Sequence, residues 1–390
     1  MRFCFFLVLI LLFRFSLFGQ DSIKIFYPGT KQIKELYSGK IIHRDTIRNG
    51  FYYYYAPEGH LAQKGFYEYD KIQGIFEIFY PSGLTKISFT FVNGLKEGPY
   101  AFYDSSGKII QKGFFINNEL DGDFYTYQPN GNLLQITHYS KGKKNGPEKI
   151  FDEKGRIKEE LTYKNDTING SYKSYYNTGE INYMGFKLNY HFIDSLLVFY
   201  KNGAVLRRCY YLNGALDGTI TDFYSSGALR SLSTYKNGIC EGDFVEYFEE
   251  GHIAQKGSYI QNKKNGRWQA FYPGGALFSE GHFKDNLFDG LWTIYFESGQ
   301  VKQVGSYRKG KATGLWSFYH PSGNLWKRGI YFNDKQQGLW RFYSEQGELE
   351  NIILFQHGQT QGMAWVFFDG SLQPIYTVNG EVFQLIEQDH

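Results

Sequence analysis

The sequence predicts an all-β fold: an elongated single-layer antiparallel sheet, or solenoid, of about 14–15 tandem 24-residue β-hairpin units. Three observations predict it. A glycine returns every 24 residues, at Gly50, Gly74, Gly98, Gly122, Gly146, Gly170, Gly218, Gly242, Gly266, Gly290, Gly314, Gly338 and Gly362, and only the slot at Asp194 is missed. A second glycine lies nine positions after each marker slot from Gly50 to Gly338, from Gly59 and Gly83 through to Gly347. Between them run segments of five to eight residues rich in Tyr, Phe, Ile, Val and Thr, bounded by Pro-Ser-Gly, Asn-Gly, Asp-Gly or Ser-Gly, which reads as strands joined by tight turns. No stretch after the N-terminus sustains a 3.6-residue apolar period with caps, so almost no helix is expected there.

Taken in order, the chain opens with Met1-Arg2, an apolar run from Phe3 to Phe13, then Arg14 and Phe15 to Gly19. A basic start and a short apolar run fit a signal peptide over residues 1–19, and they imply export to the periplasm, cell envelope or extracellular space. Arg14 inside the apolar end is atypical and keeps an uncleaved anchor as an alternative, while Cys4 follows no small-residue box of the kind that precedes lipid attachment.

Residues 20–49 read as an N-terminal capping repeat. The run from Asp21 (Asp-Ser-x-x-x-Phe-Tyr) repeats the one from Asp194, but this first unit is five residues too long. Residues 50–361 are the tandem array. Each unit carries an aromatic five positions after the marker (Tyr55, Phe79, Tyr103 and onward), and most carry an aliphatic at eleven (Leu61, Ile109, Leu133) and an aromatic at seventeen (Tyr67, Phe91, Phe115). A further aromatic at position two (Tyr52, Phe76, Tyr100, Phe124, Tyr172, Phe244) has the wrong parity to share a face with position five in an ideal strand, so either a bulge or two partly apolar faces is expected. Ten Asn-Gly pairs, among them Asn93-Gly94, Asn145-Gly146, Asn237-Gly238 and Asn265-Gly266, suit the positive φ of primed hairpin turns. Residues 362–390 form a C-terminal capping repeat and tail, with the second glycine one place early at Gly370 and a polar end at Glu387-Gln388-Asp389-His390. In the middle, Lys187 to Asp194 replaces the usual glycine and aromatic, which reads as a degenerate unit, a bend or a binding site.

A single hairpin is not stable in water, but a row of hairpins sharing edges and an aromatic face is. At about 4.8 Å per strand, such an array would form a rod on the order of 130–140 Å long. The composition agrees: 34 Tyr and 36 Phe give an aromatic share of 19%. The unbroken period calls for no internal domain boundary.

With these residues laid out, the pattern Gly-Leu-Trp-x-x-Tyr/Phe-x-x-Ser-Gly, as in Gly290-Leu291-Trp292 and Gly314-Leu315-Trp316, resembles the bacterial variant of the MORN repeat over about residues 21–385. The resemblance implies a β-hairpin array used for protein or membrane contacts. Bacterial proteins of this kind are often labelled antitoxin-like, and that label brings no residue assignment with it.

Charge and motifs point away from chemistry. The formal net charge is +3, and the chain lacks the strong basic stripe of a nucleic-acid binder; Lys141, Lys143 and Lys144, like Lys263 and Lys264, read as solvated turn lysines. There is no phosphate loop, His-Glu-x-x-His, Cys-x-x-Cys or Gly-x-Ser-x-Gly. The acidic string Asn117–Gly122, with Glu119 and Asp121, lacks the closing acid of a calcium loop and reads as a turn. His60 and His252 lie eight periods of 24 residues apart and mark a copied unit, not a shared metal site. Cys209 and Cys240 occupy different positions of adjacent units, so a disulfide is possible but not predicted.

The expected protein is therefore non-enzymatic, with no cofactor and no metal. Its partner is another protein, with a membrane surface or a glycan as alternatives and no nucleic acid. It would serve as a protein-binding scaffold or envelope interaction surface, or, on the family label, as an antitoxin or immunity-type protein sequestering a toxin. The candidate partner-binding residues are Trp268, Trp292, Trp316 and Trp340, each 24 residues from the next; the same slot holds Tyr or Phe in earlier units, so packing is the competing reading.

Overall fold

The structure is a computed structural model and describes residues 21–42, 45–368, 370–378 and 381–384. The leader expected at 1–19, with Cys4, and the tail from Glu387 lie outside the described residues. Among the described residues there are 35 strands and no helix, and each registered strand pairing is antiparallel. Two compact units are present, the first ending at Ile168 and the second beginning at Asn169.

One repeat explains the others. Strand Leu287–Tyr295 pairs with Val301–Arg308, which pairs with Lys311–Tyr319. Two kinds of turn connect them. The first is a four-residue reversal, in which Gly299 N donates to Phe296 O at 2.9 Å and Phe296 N donates to Gln300 O at 2.8 Å. Gly299 has φ +89°, where an L side chain is strained, and this accounts for the glycine nine positions after the marker. The second is a two-residue reversal at Lys309-Gly310, with φ of 51° and 77°, the doubly positive pair of a type I′ turn. Asn93-Gly94, Asn213-Gly214 and Asn237-Gly238 use the same geometry.

The marker glycine is in neither turn, and this corrects the sequence reading. Gly290 sits inside strand Leu287–Tyr295, where the register jumps from His282↔Asp289 to Gly281↔Trp292 and leaves Gly290 and Leu291 unpaired on that side. Its φ of 76° is that of a bulge residue held in the left-handed region. For the same reason Asn145-Gly146 and Asn265-Gly266 lie within strands Lys143–Phe151 and Lys263–Phe271, not at hairpin turns.

A second register shift falls between positions four and five, as at Ile294/Tyr295 and Phe318/Tyr319. The extra residue of this shift, Lys302, lies on the partner strand, so Trp292 and Tyr295 keep opposite parity and the second of the two expectations holds: position two is buried at Trp292, while Tyr295 on the other face is half-buried.

The central departure keeps the backbone of its neighbours. Asp194 takes the marker's place with φ 55°, and the register skips Asp194 and Ser195 between Phe186↔Ile193 and Gly185↔Leu196. Asn189 and Tyr190, with φ of 49° and 69°, make the two-residue turn. Near the C-terminus, Gly362–Phe368 pairs with Ser371–Val378 one to one and without a shift. Removing one residue before Gly370 has removed the bulge.

Candidate interaction surface

The four tryptophans sit in a buried column, with 3%, 8%, 4% and 0% exposure for Trp268, Trp292, Trp316 and Trp340. Trp268, Trp316 and Trp340 pack edge-on against position-seventeen aromatics on either side: Trp316 lies 5.1 Å from the Tyr307 ring and 5.6 Å from Tyr331, and Trp340 lies 5.1 Å from Tyr331 and 6.1 Å from Phe355, while Trp292 packs edge-on against Phe283 at 5.2 Å and Phe288 at 4.5 Å. Room for the ring comes from a third glycine, fifteen positions after the marker. A Cβ on Gly257, Gly281, Gly305 or Gly329 would overlap the indole of Trp268, Trp292, Trp316 or Trp340 respectively. Trp268, Trp292 and Trp340 donate their Nε1 hydrogens to Ser258 O, His282 O and Ile330 O, while Trp316 Nε1 is buried without a partner. The column thus leaves a partner little indole surface.

In the first unit the equivalent column holds Tyr52, Phe76 and Tyr100, with Tyr37 opposite Tyr52, all buried. Burial pushes the Tyr52 phenol up to about 12 and raises that of Tyr100 further. Glu148 occupies this column at 2% exposure. Its Oε1 accepts from Lys144 Nζ at 2.8 Å and from Gln135 Nε2 at 2.7 Å, and Gln135 Nε2 also reaches Thr137 Oγ1 at 2.7 Å. Desolvation works against the Lys144 ammonium, but the hydrogen bond and charge of Glu148 outweigh it and raise its pKa.

Lys144 and Lys264 therefore correct the reading of solvated turn lysines. Both turn inward, because an ammonium is attracted to aromatic faces. Lys264 Nζ lies 4.0 Å from the Trp268 ring centroid, and burial lowers its pKa. In the string Asn117–Gly122 only Asn117 and Asn118, both at positive φ, make the turn; Glu119–Leu120 is a short strand, Gly122 opens the next one, and Asp121 Oδ2 between them accepts from Lys141 N at 3.0 Å. Cys209 and Cys240 are buried free thiols whose pKa values burial raises. His60 and His252 fall in different compact units, where their carbonyls accept from Ala56 N and Phe248 N within turns. Among the described residues, no group of three or more His, Cys, Asp or Glu is placed to hold a metal, and no helix is long and apolar enough to cross a membrane.

Side chains also tie successive hairpins together. The residue after position five reaches the next repeat: Tyr200 Oη donates to Phe223 O at 2.9 Å, Tyr224 Oη to Tyr247 O at 2.7 Å and Tyr272 Oη to Tyr295 O at 2.9 Å. At the other end of the strands, Lys264 N donates to Asn286 Oδ1 at 2.6 Å and Ala312 N to Asp334 Oδ1 at 2.6 Å. Neither ladder was legible in the sequence, because each joins residues 22 or 23 apart whose types vary.

The outward face differs along the second unit. At position one, just before the position-two residue, Asp243 and Arg267 are followed by Leu291, Leu315, Leu339 and Met363, and these last four are 60%, 48%, 50% and 46% exposed. Leu315 pairs with Ile330, and Leu339 with Leu354, so the apolar character crosses strands. In the Gly-Leu-Trp triplet the tryptophan is the larger side chain, but strand alternation buries it and puts the leucine on the opposite, outward face. Beside this run Leu315, Ile330, Leu339, Arg328, Arg341 and Tyr343 line a surface depression of about 410 Å³.

Against this geometry the comparisons with known proteins can be read. Eight segments match the MORN repeat variant: 96–117, 120–141, 144–165, 216–237, 241–261, 264–285, 288–309 and 312–333. They begin near the two-residue turns, so the profile spans a turn-to-turn unit that contains the bulged marker glycine. No curated protein matches. Among solved structures, "Crystal Structure of TcdB2-TccC3-Cdc42" aligns with 10% identity and a TM-score of 0.14, covering 84% of this chain and 27% of the other. "Structure of Photorhabdus luminescens Tc holotoxin pore, Mutation TccC3-D651A" aligns with 11% identity and a TM-score of 0.16, covering 89% and 24%. The chain spans about a quarter of the length of these solved chains.

Proposed function

We propose that the protein is an exported, non-enzymatic repeat scaffold that binds another protein through the outward face of its later repeats. The observation that carries this reading is the run Leu291, Leu315, Leu339 and Met363, exposed on successive repeats while the residues that follow them, Trp292, Trp316, Trp340 and Ala364, are buried. Exposed contiguous apolar surface on a rigid framework is the usual mark of an interaction site. The eight MORN-variant segments support the scaffold half of the reading. The apolar leader sequence over 1–19 supports the export half.

The test is affinity capture with the chain from Gln20 onward, using the envelope fraction of its own host, with Leu315→Ser/Leu339→Ser as control. A protein retained by the unaltered chain and lost from the control is expected. No retained protein, or equal retention by both, sinks the reading. N-terminal sequencing of the endogenous protein should begin near Gln20; an intact Met1 in a soluble cytoplasmic fraction would remove the export half. Capture of a toxin would assign the antitoxin alternative. Sedimentation with lipid vesicles, without a captured protein, would favour the membrane alternative.

A further inference from the structure

Arg328 and Arg341 face each other directly across neighbouring antiparallel strands. Directly opposed side chains lie about 4.5–5.5 Å apart at Cβ, and like charges in that position are destabilising. Equivalent pairs in other repeats avoid the conflict. Lys64↔Glu77 is an ion pair with Nζ 3.4 Å from Oε2, and Val304↔Ser317 and Ile352↔Trp365 carry no charge. Among the described residues, neither arginine forms a salt bridge, and both are exposed. Two uncompensated guanidinium groups thus project on one face, flanked by Leu315, Ile330 and Leu339, and border the depression of about 410 Å³.

We propose that this depression binds an acidic, aliphatic segment of a partner protein, with a carboxylate held between Arg328 and Arg341 and an adjacent apolar side chain seated against Leu315, Ile330 and Leu339. This deepens the reading of the chain as a protein-binding scaffold and rests on it. Guanidinium forks match carboxylates in bidentate geometry, and an incoming carboxylate would relieve the repulsion between the two arginines. Two bases flanked by aliphatic residues fit a short peptide better than a nucleic acid or an anionic membrane, each of which calls for a longer run of basic residues. A depression of this volume falls in the range of small-ligand sites and would take one or two side chains.

The test uses the full mature chain and a labelled peptide alternating Glu and Leu, followed by fluorescence anisotropy. Peptides alternating Lys with Leu, and Glu with Ser, serve as controls, and a single-stranded oligonucleotide serves as competitor. The Glu-Leu peptide should bind, and both controls should bind at least tenfold more weakly. Arg328→Glu creates an opposite-charge pair with Arg341 of the Lys64–Glu77 kind, so it should fold with an unchanged or higher melting temperature and lose binding at least tenfold. Arg341→Gln gives a second variant that keeps the strand uncharged at that point. Absence of binding by the unaltered chain, undiminished binding by either variant, or displacement by the oligonucleotide at equal concentration overturns the assignment. Those outcomes leave partner capture, which is read separately, untouched. Failed capture with intact peptide binding would instead count against the scaffold function alone.

Discussion

Trp316→Ala is the most informative perturbation of the buried column, because its cost and its neighbour's cost are linked by geometry. An indole buries on the order of 200 Å², which at about 25 cal/mol per Å² gives an upper figure near 5 kcal/mol. Trp316 is 4% exposed and has Tyr307 and Tyr331 edge-on at 5.1 and 5.6 Å, so its removal opens a cavity between two rings. A loss of about 3–5 kcal/mol is expected. Gly305 lies beneath the ring in extended backbone, and its Cβ would overlap the indole; Gly305→Ala should cost about 1–3 kcal/mol through overpacking. In the double variant the alanine methyl enters space that the indole has left, so the combined loss should fall short of the sum by at least about 1 kcal/mol. The assay is denaturant unfolding of the four proteins, with hydrogen exchange to locate the loss in repeats adjoining Trp316, as expected where each unit contacts only its neighbours. Additive losses would refute the glycine-under-tryptophan account. Unchanged unfolding of Trp316→Ala with loss of a captured partner would show that the column is itself the binding surface.

Three further outcomes are expected. Asp194→Gly should raise stability by about 0.5–1 kcal/mol in denaturant unfolding, because φ 55° strains a residue with a Cβ; a fall would mean that the aspartate side chain contributes more than its strain costs. Stability should decline as pH rises from 10 to about 12: above 10.0 the unfolded chain loses the Tyr52 proton that the folded chain keeps, and the raised Lys144 pKa acts in the same direction, so its contribution is intact below 10.5 and disappears above its folded value. Alkaline titration followed by circular dichroism and tyrosinate absorbance checks this, and a flat profile across that interval counts against it. Cys209 and Cys240 should react with a thiol reagent slowly in the native chain from Gln20 and fully once it is unfolded, whereas a disulfide in the intact protein would contradict the free-thiol structure.

The sequence carried the strand-and-turn period because the features behind it are local. A φ that only glycine readily adopts recurs at Gly299, and paired positive φ recurs at Asn93-Gly94. Local chemistry could not say which glycine belonged to which feature. Asn-Gly suits a type I′ turn at Asn237-Gly238 and equally a bulge at Asn265-Gly266, and the choice is set by register with the neighbouring hairpin. The outward site was harder to see, since Arg328 and Arg341 are thirteen residues apart and become opposite only through the bulge beside Gly329 and Gly338. The tryptophans drew attention as candidate anchors by size, yet the glycines fifteen positions after each marker decide that they sink into the sheet.

This division suggests how departures from the period should be weighed. Where an inward or backbone position changes, the fold answers locally. Asp194 adopts the marker's conformation, Glu148 acquires Lys144 and Gln135 as partners, and the residue lost before Gly370 removes a bulge without interrupting strand pairing. Those departures are absorbed by packing and hydrogen bonding, so they need no ligand to explain them. Departures at outward positions meet no such answer: among the described residues no acid forms a salt bridge with Arg328 or Arg341, and Leu291, Leu315 and Leu339 stay exposed. In an array whose interior is dictated by the repeat, the residues free to vary are those at positions one, three and fourteen of the outward face. Their charge and apolarity along the later repeats are therefore the part of this chain that its own folding does not account for.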